Sequence, residues 1–189
     1  VIDTFYTTSD GTLITPEKLA YGKGYSLVEV QAPYGYVLDA TPISFDVDED
    51  NSTEEGEITL IVVEKTNAPQ KGIVSILKTG EVFSSVIQNG DLYTPVYEVK
   101  GLAGAVYEIT AAEDVVTPDG TVRYTAGTLV DTITTDDSGL ARSGELYLGK
   151  YQITETSAPY GMVLNTEPQT VELVYAGQEI ALTETSASF

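Results

Sequence analysis

The sequence predicts an all-β chain that folds as two β-sandwiches in a row. Thirteen tyrosines, many threonines and many valines favour sheet, and no window keeps helical periodicity for long. In addition, residues 25–38 recur as residues 151–164, and eight of sixteen positions are identical over windows 24–39 and 150–165. A repeat at this spacing in 189 residues indicates two similar domains, each with its own core.

Each copy of the repeat reads as an alternating strand followed by a turn. Alternation puts Glu155 on the same face as Tyr151 and Ile153, and Glu29 holds the equivalent position in the first copy. A carboxylic acid on an apolar face is expensive to bury unless it has a dedicated partner. Ala-Pro-Tyr-Gly follows each acid, and its proline and glycine predict the same fixed turn in both copies.

The first domain is expected to begin midway through the pattern. Its segment 3–5 aligns with residues 131–133 of the second copy, so its first strands are missing from residues 1–68. Strands are predicted at 43–47 and 57–63, with an acidic loop between them. We therefore expect a first domain at 1–68, truncated at its N-terminus, and a second at 69–189.

The second domain is predicted to begin with a strand that ends in a lysine. If Val74 and Ile76 point into the core, Lys78 does too, because side chains alternate along a strand. Residues 80–100 read as an insertion with a hairpin turn at Asn89-Gly90. Further strands are expected at 121–125, 128–133, 169–175 and 180–185. Because no closing asparagine occurs before the end of the sequence, we expect the second sandwich to lack its last strand.

Composition excludes several classes of function. A net charge of −20 repels nucleic acid and anionic membranes, so neither is expected as a partner. The chain has no cysteine and no histidine, which removes disulfides, thiolate catalysis and the commonest general base and metal ligand. No apolar run approaches the roughly twenty residues of a membrane span, so we expect no membrane insertion.

Three motifs resemble one family. The segments around Glu29 and Glu155 approximate the pattern G-x-Y-x-L-x-E-x-x-A-P-x-G-Y, which resembles the "E-box" of Cna-B-type domains. Residues 102–109 resemble the L-x-G-A-x-F-x-L strand entry of those domains, and residues 134–139 resemble their T-T-D-x-x-G hairpin. The resemblance implies two tandem β-sandwiches of the prealbumin-like or Ig-like type. Domains of this family are also called SpaA-like. Such domains build stalks and pilus shafts, which implies an extracellular location on a bacterial cell wall.

The resemblance also implies a chemistry. In that family a lysine on the first strand attacks the side-chain amide of an asparagine on the last strand, releases ammonia and leaves an isopeptide crosslink, assisted by the E-box glutamate. Carried over by position, Lys78 is the nucleophile and Glu155 the acid of the second domain, while Asn67 is the acceptor and Glu29 the acid of the first. Burial disfavours the charged forms of lysine and glutamate, which suits this reaction. It happens once and needs no cofactor, so no enzyme is expected.

Neither crosslink is expected to be complete within residues 1–189. The lysine for Asn67 would lie on a strand preceding Val1, and the acceptor for Lys78 would follow Phe189. A missing strand leaves unpaired backbone groups at a sheet edge. The expected partners are therefore neighbouring domains of the same parent protein, or a strand donated by another chain.

An acidic loop offers a second, weaker site. Asp46, Asp48, Asp50 and Glu57 reproduce the spacing of a calcium-binding loop, because a hard cation needs oxygens that converge from a tight turn. However, Asn51 stands where that loop needs glycine, and the flanks read as strands. The alternative is an acidic hairpin loop that keeps the protein soluble.

Two functions stay open from the sequence. One is a structural stalk or pilin-like repeat, stabilised by crosslinks. The other is an adhesive module that binds a host protein or glycan through the insertion, which carries Phe83, Tyr93 and Tyr97. Those aromatic side chains equally suit packing on their own domain.

Overall fold

The computed structural model describes residues 1–48, 53–55 and 58–189, and the chain forms strands and no helix in these ranges. The all-β prediction is confirmed. The chain divides into two compact units, the first made of Val1–Val30 with Ala40–Thr66 and the second of Gln31–Asp39 with Asn67–Phe189. The domain boundary expected after residue 68 stays a prediction. A membrane-spanning helix is not found in the described part of the chain.

The first unit contains two antiparallel strand pairs. Strand β1 (Gly22–Leu27) pairs with β2 (Ile43–Val47), and β3 (Thr53–Glu55) pairs with β4 (Ile58–Leu60). The rings of Tyr25 and Phe45 stack across the first pair with centroids 5.7 Å apart. The closing strand expected at 57–63 is shorter in the structure, and Glu57 lies outside the described residues.

The second unit is a sandwich of two sheets with two additional hairpins. Its strands are β5 (Lys71–Leu77), β6 (Thr79–Asn89), β7 (Leu92–Gly101), β8 (Val106–Ala111), β9 (Val115–Val116), β10 (Val122–Tyr124), β11 (Leu129–Thr134), β12 (Leu140–Arg142), β13 (Leu146–Tyr147), β14 (Gly149–Ser157), β15 (Gln169–Leu173) and β16 (Leu182–Ser188). One sheet has the order β11-β8-β14-β15. In the other, β5 pairs with β12 and β13 along one edge and with β16 along the other.

The core of this unit lies between the two sheets. Alternation along β5, β8 and β14 sends every second side chain inward, so the buried set is large, apolar and rich in aromatic and β-branched residues. The largest fully buried side chains are Tyr107, Tyr151, Ile76, Ile109, Ile153, Leu173, Gln70, Glu155, Val74 and Val115. Fully burying an isoleucine or valine stabilises the fold by roughly 1.5–3 kcal/mol. Two members of the set, Gln70 and Glu155, are polar and need partners.

Strand β16 corrects one detail of the expected fold. The second sandwich was expected to lack its last strand, but β16 pairs in parallel with β5 from Leu182 opposite Lys71 to Ser188 opposite Leu77. The sequence predicts a strand at 180–185 only, whereas β16 continues to Ser188 through threonine, serine and alanine, and its only buried side chain is the small Ala187. The parallel pairing itself satisfies its backbone along one edge.

The insertion predicted at 80–100 is a long hairpin. Strands β6 and β7 pair antiparallel from Thr79 opposite Gly101 to Asn89 opposite Leu92. Gly90 takes a φ of 62° at the tip, a left-handed conformation that suits glycine in a two-residue turn. Most side chains of the hairpin are exposed.

Candidate functional site

The fold of the second unit brings Lys78 and Glu155 together. Lys78 follows β5 in one sheet, and Glu155 lies near the end of β14 in the facing sheet. The Lys78 Nζ atom is 2.8 Å from Glu155 Oε1. Lys78 is 7% exposed and Glu155 only 1%. Two opposite charges therefore meet in an interior from which water is largely excluded.

The backbone of Lys78 is fixed by two neighbouring segments. Its N–H donates to the Gly139 carbonyl at 2.8 Å, and its carbonyl accepts from the Leu102 N–H at 3.0 Å. Gly139 has a φ of 80°, and a Cβ added there would lie 2.2 Å from the Lys78 carbonyl oxygen. The glycine of the T-T-D-x-x-G hairpin is therefore required both by its turn and by the close approach of Lys78.

Both oxygens of Glu155 are bonded. Besides Lys78, the Tyr107 hydroxyl donates to Oε1 at 3.3 Å, and the Asn165 backbone N–H donates to Oε2 at 2.8 Å. Removing a carboxylate from water is costly, and these three donors offset that cost. In the described part of the chain, every buried side-chain nitrogen and oxygen has a hydrogen-bond partner.

Tyr107 is a member of the site that sequence reasoning missed. It lies directly opposite Glu155 in the antiparallel pairing of β8 with β14 and is fully buried. Burial raises the pKa of Tyr107, and the negative charge of Glu155 raises it further, so the hydroxyl stays a donor. The available signal was in the motif, because Tyr107 stands where the resembled pattern has phenylalanine.

The end of the last strand passes beside the pair. The Phe189 N–H donates to the Leu77 carbonyl at 2.9 Å, and its carbonyl accepts from the Thr79 N–H at 3.0 Å. These bonds place Phe189 opposite Lys78 in the parallel ladder. Its ring packs on that of Tyr107, with centroids 4.7 Å apart. From the sequence, Phe189 was related to the Lys78 site only because the acceptor of Lys78 was expected to follow it.

The two residues expected to act in the first domain lie in different units. Glu29 is half-buried and follows β1 in the first unit. Asn67 is half-buried in the second unit, where its side-chain amide donates to the Val37 carbonyl at 3.3 Å. Their roles as acid and acceptor stay predictions.

The acidic loop is only partly described. Asp46 accepts a hydrogen bond from the Gly24 N–H at 2.7 Å through Oδ1. Asp50 and Glu57, which complete the calcium spacing, lie outside the described residues. Among the residues with described positions, no three or more His, Cys, Asp or Glu side chains group in a way that could hold a metal ion.

Comparison with known proteins identifies the family. Among solved structures, the chain is similar to the Bacillus anthracis TIE protein, with 26% identity over 96% of this chain and 27% of that one, and a TM-score of 0.54. It also resembles the major pilin SpaD of Corynebacterium diphtheriae, with 19% identity over 63% of this chain and 32% of that one, and a TM-score of 0.37. The major pilin subunit BcpA of Bacillus cereus gives 20% identity over 64% of this chain and 30% of that one, with a TM-score of 0.34.

The chain thus spans about a quarter to a third of the length of these relatives, and no argument rests on the two pilins, whose TM-scores are below 0.5. No curated protein matches the sequence. A family model for the SpaA prealbumin-like fold domain matches residues 1–61 and 94–186, which is most of the sequence. The chain therefore belongs to the SpaA family of prealbumin-like domains.

Proposed function

We propose that the chain is a stalk or pilin-like structural segment of a cell-wall-anchored surface protein, in which Lys78 forms an isopeptide crosslink with an asparagine. The observation that carries the proposal is the buried contact of 2.8 Å between Lys78 and Glu155. Membership of the SpaA family supports the structural role and an extracellular, Gram-positive setting. The chain would then project other domains from the cell wall and resist shear.

The arrangement suits a single amide exchange. The Lys78 nitrogen lies 2.8 Å from a Glu155 oxygen, so a proton can pass directly from the ammonium to the carboxylate and leave a neutral amine and a neutral acid. The neutral amine is the nucleophilic form of lysine. Both groups are held by packing and hydrogen bonds, so proximity supplies much of the rate once an acceptor amide enters.

The exchange balances without any other reactant. The Lys78 nitrogen forms a bond to the side-chain carbon of the asparagine, and the bond from that carbon to the amide nitrogen breaks. Starting from the neutral amine and the neutral acid, Glu155 gives its proton to the departing nitrogen, which leaves as ammonia, and takes one from the attacking Lys78 nitrogen. The products are one secondary amide and one ammonia, and Glu155 ends in the protonation state in which it began.

The direction of β16 indicates where the acceptor belongs. In β16 Thr183 and Thr185 are half-buried and Ala187 is buried, and Phe189 continues this alternation. The next inward position is therefore the second residue after Phe189, close to the end of the Lys78 side chain. An asparagine there, or one on a strand donated by another chain, would supply the amide. We also propose that Asn67 accepts from a lysine on a strand preceding Val1, assisted by Glu29.

Intact mass tests this proposal directly. We compare the chain extended after Phe189 by Ala-Asn with the chain extended by Asn-Ala, because alternation places only the first asparagine inward. The Ala-Asn protein is expected to lose the mass of one ammonia and to yield a branched peptide that joins Lys78 to the new asparagine. The Asn-Ala protein and an Ala-Ala control should keep their full mass.

Two substitutions complete the test. Glu155→Gln in the Ala-Asn protein should stop or strongly slow the mass loss, and Lys78→Arg should abolish it. A mass loss that survives Lys78→Arg, or an Ala-Asn protein that folds and never loses ammonia, contradicts the assignment of Lys78.

A second function, adhesion, is favoured by the hairpin of β6 and β7. Its aromatic side chains are not covered by the sandwich, since Phe83 is 60%, Tyr93 63% and Tyr97 57% exposed. Exposed aromatic residues are frequent anchors of protein and glycan binding. We infer that a host protein or glycan is the ligand class of this hairpin, if the chain is an adhesin.

A shortened hairpin tests adhesion. Replacing residues 83–97 by Asn-Gly joins Val82 to Glu98, which are paired in the ladder. Binding to immobilised host matrix proteins and to a glycan array should then fall at least about tenfold, while the thermal midpoint of the sandwich is kept. Equal binding by the shortened and the full chain would remove the hairpin from consideration.

A further inference from the structure

The turn after each E-box has the same conformation in both copies. Residues 31–39 and 157–165 share the letters Ala-Pro-Tyr-Gly and Val-Leu at equivalent positions. In each turn the residue after the glycine donates its N–H to the proline carbonyl, at 3.1 Å in the first copy and 2.9 Å in the second. The glycines, Gly35 and Gly161, have φ values of 87° and 80°. The two turns therefore present the same backbone shape.

The first turn is seated within the second unit by backbone hydrogen bonds. The Gly35 carbonyl accepts from the Gln70 N–H at 2.8 Å, and the Val37 N–H donates to the Ala68 carbonyl at 2.9 Å. The Leu38 N–H donates to the Gln178 carbonyl at 3.0 Å. We call the surface that receives this turn the receptor face, made of residues 68–70, Pro118 and 175–178.

The receptor face is a built surface and not a chance contact. Gln70 is 1% exposed, and its side chain accepts from the Ala176 N–H at 2.9 Å and donates to the Gly177 carbonyl at 2.8 Å. These bonds hold the loop that carries Gln178, whose side chain accepts from the Ala32 N–H at 2.8 Å. Gln70 thus fixes the loop at residues 175–178, and Gln178 in that loop accepts hydrogen bonds from the first turn.

The fit at the glycine of the first turn is close. Gly35 is buried, and a Cβ added there would lie 2.5 Å from Pro118 Cγ. The ring of Tyr34 packs on that of Tyr175, with centroids 4.6 Å apart. Only a glycine at this point allows the turn to approach the receptor face.

The second turn leaves its glycine and two of its side chains uncovered, although Pro159 is buried and Met162 is half-buried. Gly161 is exposed, and a Cβ added there would meet no atom within 4 Å. Tyr160 and Val163, the equivalents of Tyr34 and Val37, are 104% and 91% exposed. In the first turn Val37 is half-buried, and the Tyr34 ring, although 77% exposed, packs on that of Tyr175.

We propose that residues 157–165 form a docking surface for the receptor face of a further prealbumin-like unit. A second copy of this chain is a poor occupant, because its receptor face is already filled by its own residues 31–39. The occupant is a unit joined after the last strand. Residues 31–39 are bonded to residues that follow them in the chain, so residues 157–165 should receive a unit that follows β16. The docking is independent of the crosslink chemistry.

The first experiment places the sequence of the second turn on the receptor face that residues 31–39 occupy. Only Gln31→Ser, Tyr36→Met and Asp39→Asn are needed to convert residues 31–39 into the sequence of 157–165. Backbone hydrogen exchange of Val37 and Leu38 should stay within about threefold of the parent chain, because the bonded groups are unchanged. Loss of their protection would show that the second turn cannot occupy a receptor face, and would overturn the proposal.

Docking itself is tested in a tandem protein, the full chain followed directly by a second copy of residues 68–189. The Val163 and Leu164 amides, equivalents of the bonded Val37 and Leu38, should exchange at least about tenfold more slowly than in the single chain. A positive control carries residues 31–39 in place of 157–165. Unprotected amides in the tandem protein overturn the proposal, whether or not the control is protected.

A glycine substitution separates docking from general stiffening. Gly161→Ala in the tandem protein should return the exchange of Val163 to the rate of the single chain, because the added methyl meets the proline equivalent to Pro118. The same substitution in the single chain carries the same backbone strain and should leave that rate unchanged. Protection that persists in the substituted tandem protein would contradict the proposed surface.

Discussion

Glu155 accepts a hydrogen bond from Tyr107, the residue directly opposite it across the pairing of β14 with β8. This hydrogen bond of 3.3 Å connects Glu155, the acid of the candidate site, to Tyr107, which is part of the hydrophobic core. It holds Glu155 Oε1, the oxygen that also meets Lys78. Tyr107 is therefore a positioning residue for the carboxylate, and its removal should affect the site without dissolving the core.

Tyr107→Phe should destabilise the second unit by about 0.5–1.5 kcal/mol, the usual loss for one neutral hydrogen bond. Lys78 and the Asn165 N–H would still satisfy Glu155. Tyr151→Phe is a matched control, since the buried Tyr151 donates at 2.6 Å to the Tyr147 carbonyl, away from the pair. Denaturant unfolding gives the loss of stability. In the Ala-Asn protein, only Tyr107→Phe should slow the release of ammonia.

The pair of Lys78 with Glu155 should be far more sensitive to single changes than a surface pair. Lys78→Met leaves a buried carboxylate without its counter-charge and should cost about 3–5 kcal/mol of the free energy of unfolding. Lys150→Met, which breaks an exposed contact of 3.5 Å with Glu113, should cost less than about 1 kcal/mol.

Changing both partners of the buried pair should restore much of the loss. The double variant Lys78→Met with Glu155→Leu removes both charges and leaves apolar side chains of similar size. Urea unfolding of the two single variants and the double variant gives the coupling energy. A coupling near zero would show that the two charges do not depend on each other.

Gly139 should tolerate alanine much less than Gly120. Both have a φ of 80°, so each Gly→Ala change carries a conformational cost of about 1–2 kcal/mol. A Cβ at Gly120 meets nothing within 4 Å, whereas at Gly139 it would lie 2.2 Å from the Lys78 carbonyl oxygen. Overpacking should therefore add about 1–3 kcal/mol at Gly139 alone. Equal thermal midpoints for the two variants would contradict the close approach of Lys78.

Asp136, in the turn before Gly139, should make the free energy of unfolding depend on pH in the acid range. Hydrogen bonds from the Ser138 hydroxyl and then from the Leu140 and Ser138 N–H groups lower the pKa of Asp136 from its ordinary value of 3.8. The folded pKa lies below the unfolded one, so this stabilisation is complete above the unfolded pKa and is lost as pH falls through the folded pKa.

The Asp136→Asn variant should show this dependence. The stability difference between parent and variant should be constant at neutral pH and shrink below about pH 4, where the carboxylate begins to take up protons in the unfolded chain. Ser138→Ala removes the largest cause of the shift and should raise the pKa of Asp136 measured by NMR. A difference that grows as the pH falls would reverse the assigned sign.

The sequence predicted the inward direction of Lys78 and Glu155 because a strand has a period of two. Val74 and Ile76 set the phase for Lys78, and Tyr151 and Ile153 set it for Glu155. Local patterns of this kind need no knowledge of the partner strand. The contact between the two side chains depends on how the two sheets pack. The family resemblance implied that packing, but no local sequence pattern predicts it.

The rest depended on pairings between residues distant in the chain. The sequence predicts only part of strand β16, because the small and hydroxylated side chains near its end do not show that it pairs with β5 as far as Ser188. The turn after β14 brings the Asn165 backbone N–H to Glu155. Because the donor is a backbone group, the pattern of side chains does not predict this contact. The contacts of residues 31–39 likewise combine backbone hydrogen bonds with the side chains of Tyr175 and Gln178, which are distant in the sequence.

The parallel pairing of the first and last strands determines how the second unit responds to tension. Pulling on the chain before Lys71 and beyond Phe189 moves β5 and β16 in opposite directions along their length. The hydrogen bonds of the whole ladder then resist together in shear, and do not open one after another. A covalent link from Lys78 to the end of β16 would route the force through β5 alone, so that the core of the sandwich would carry almost none of the load.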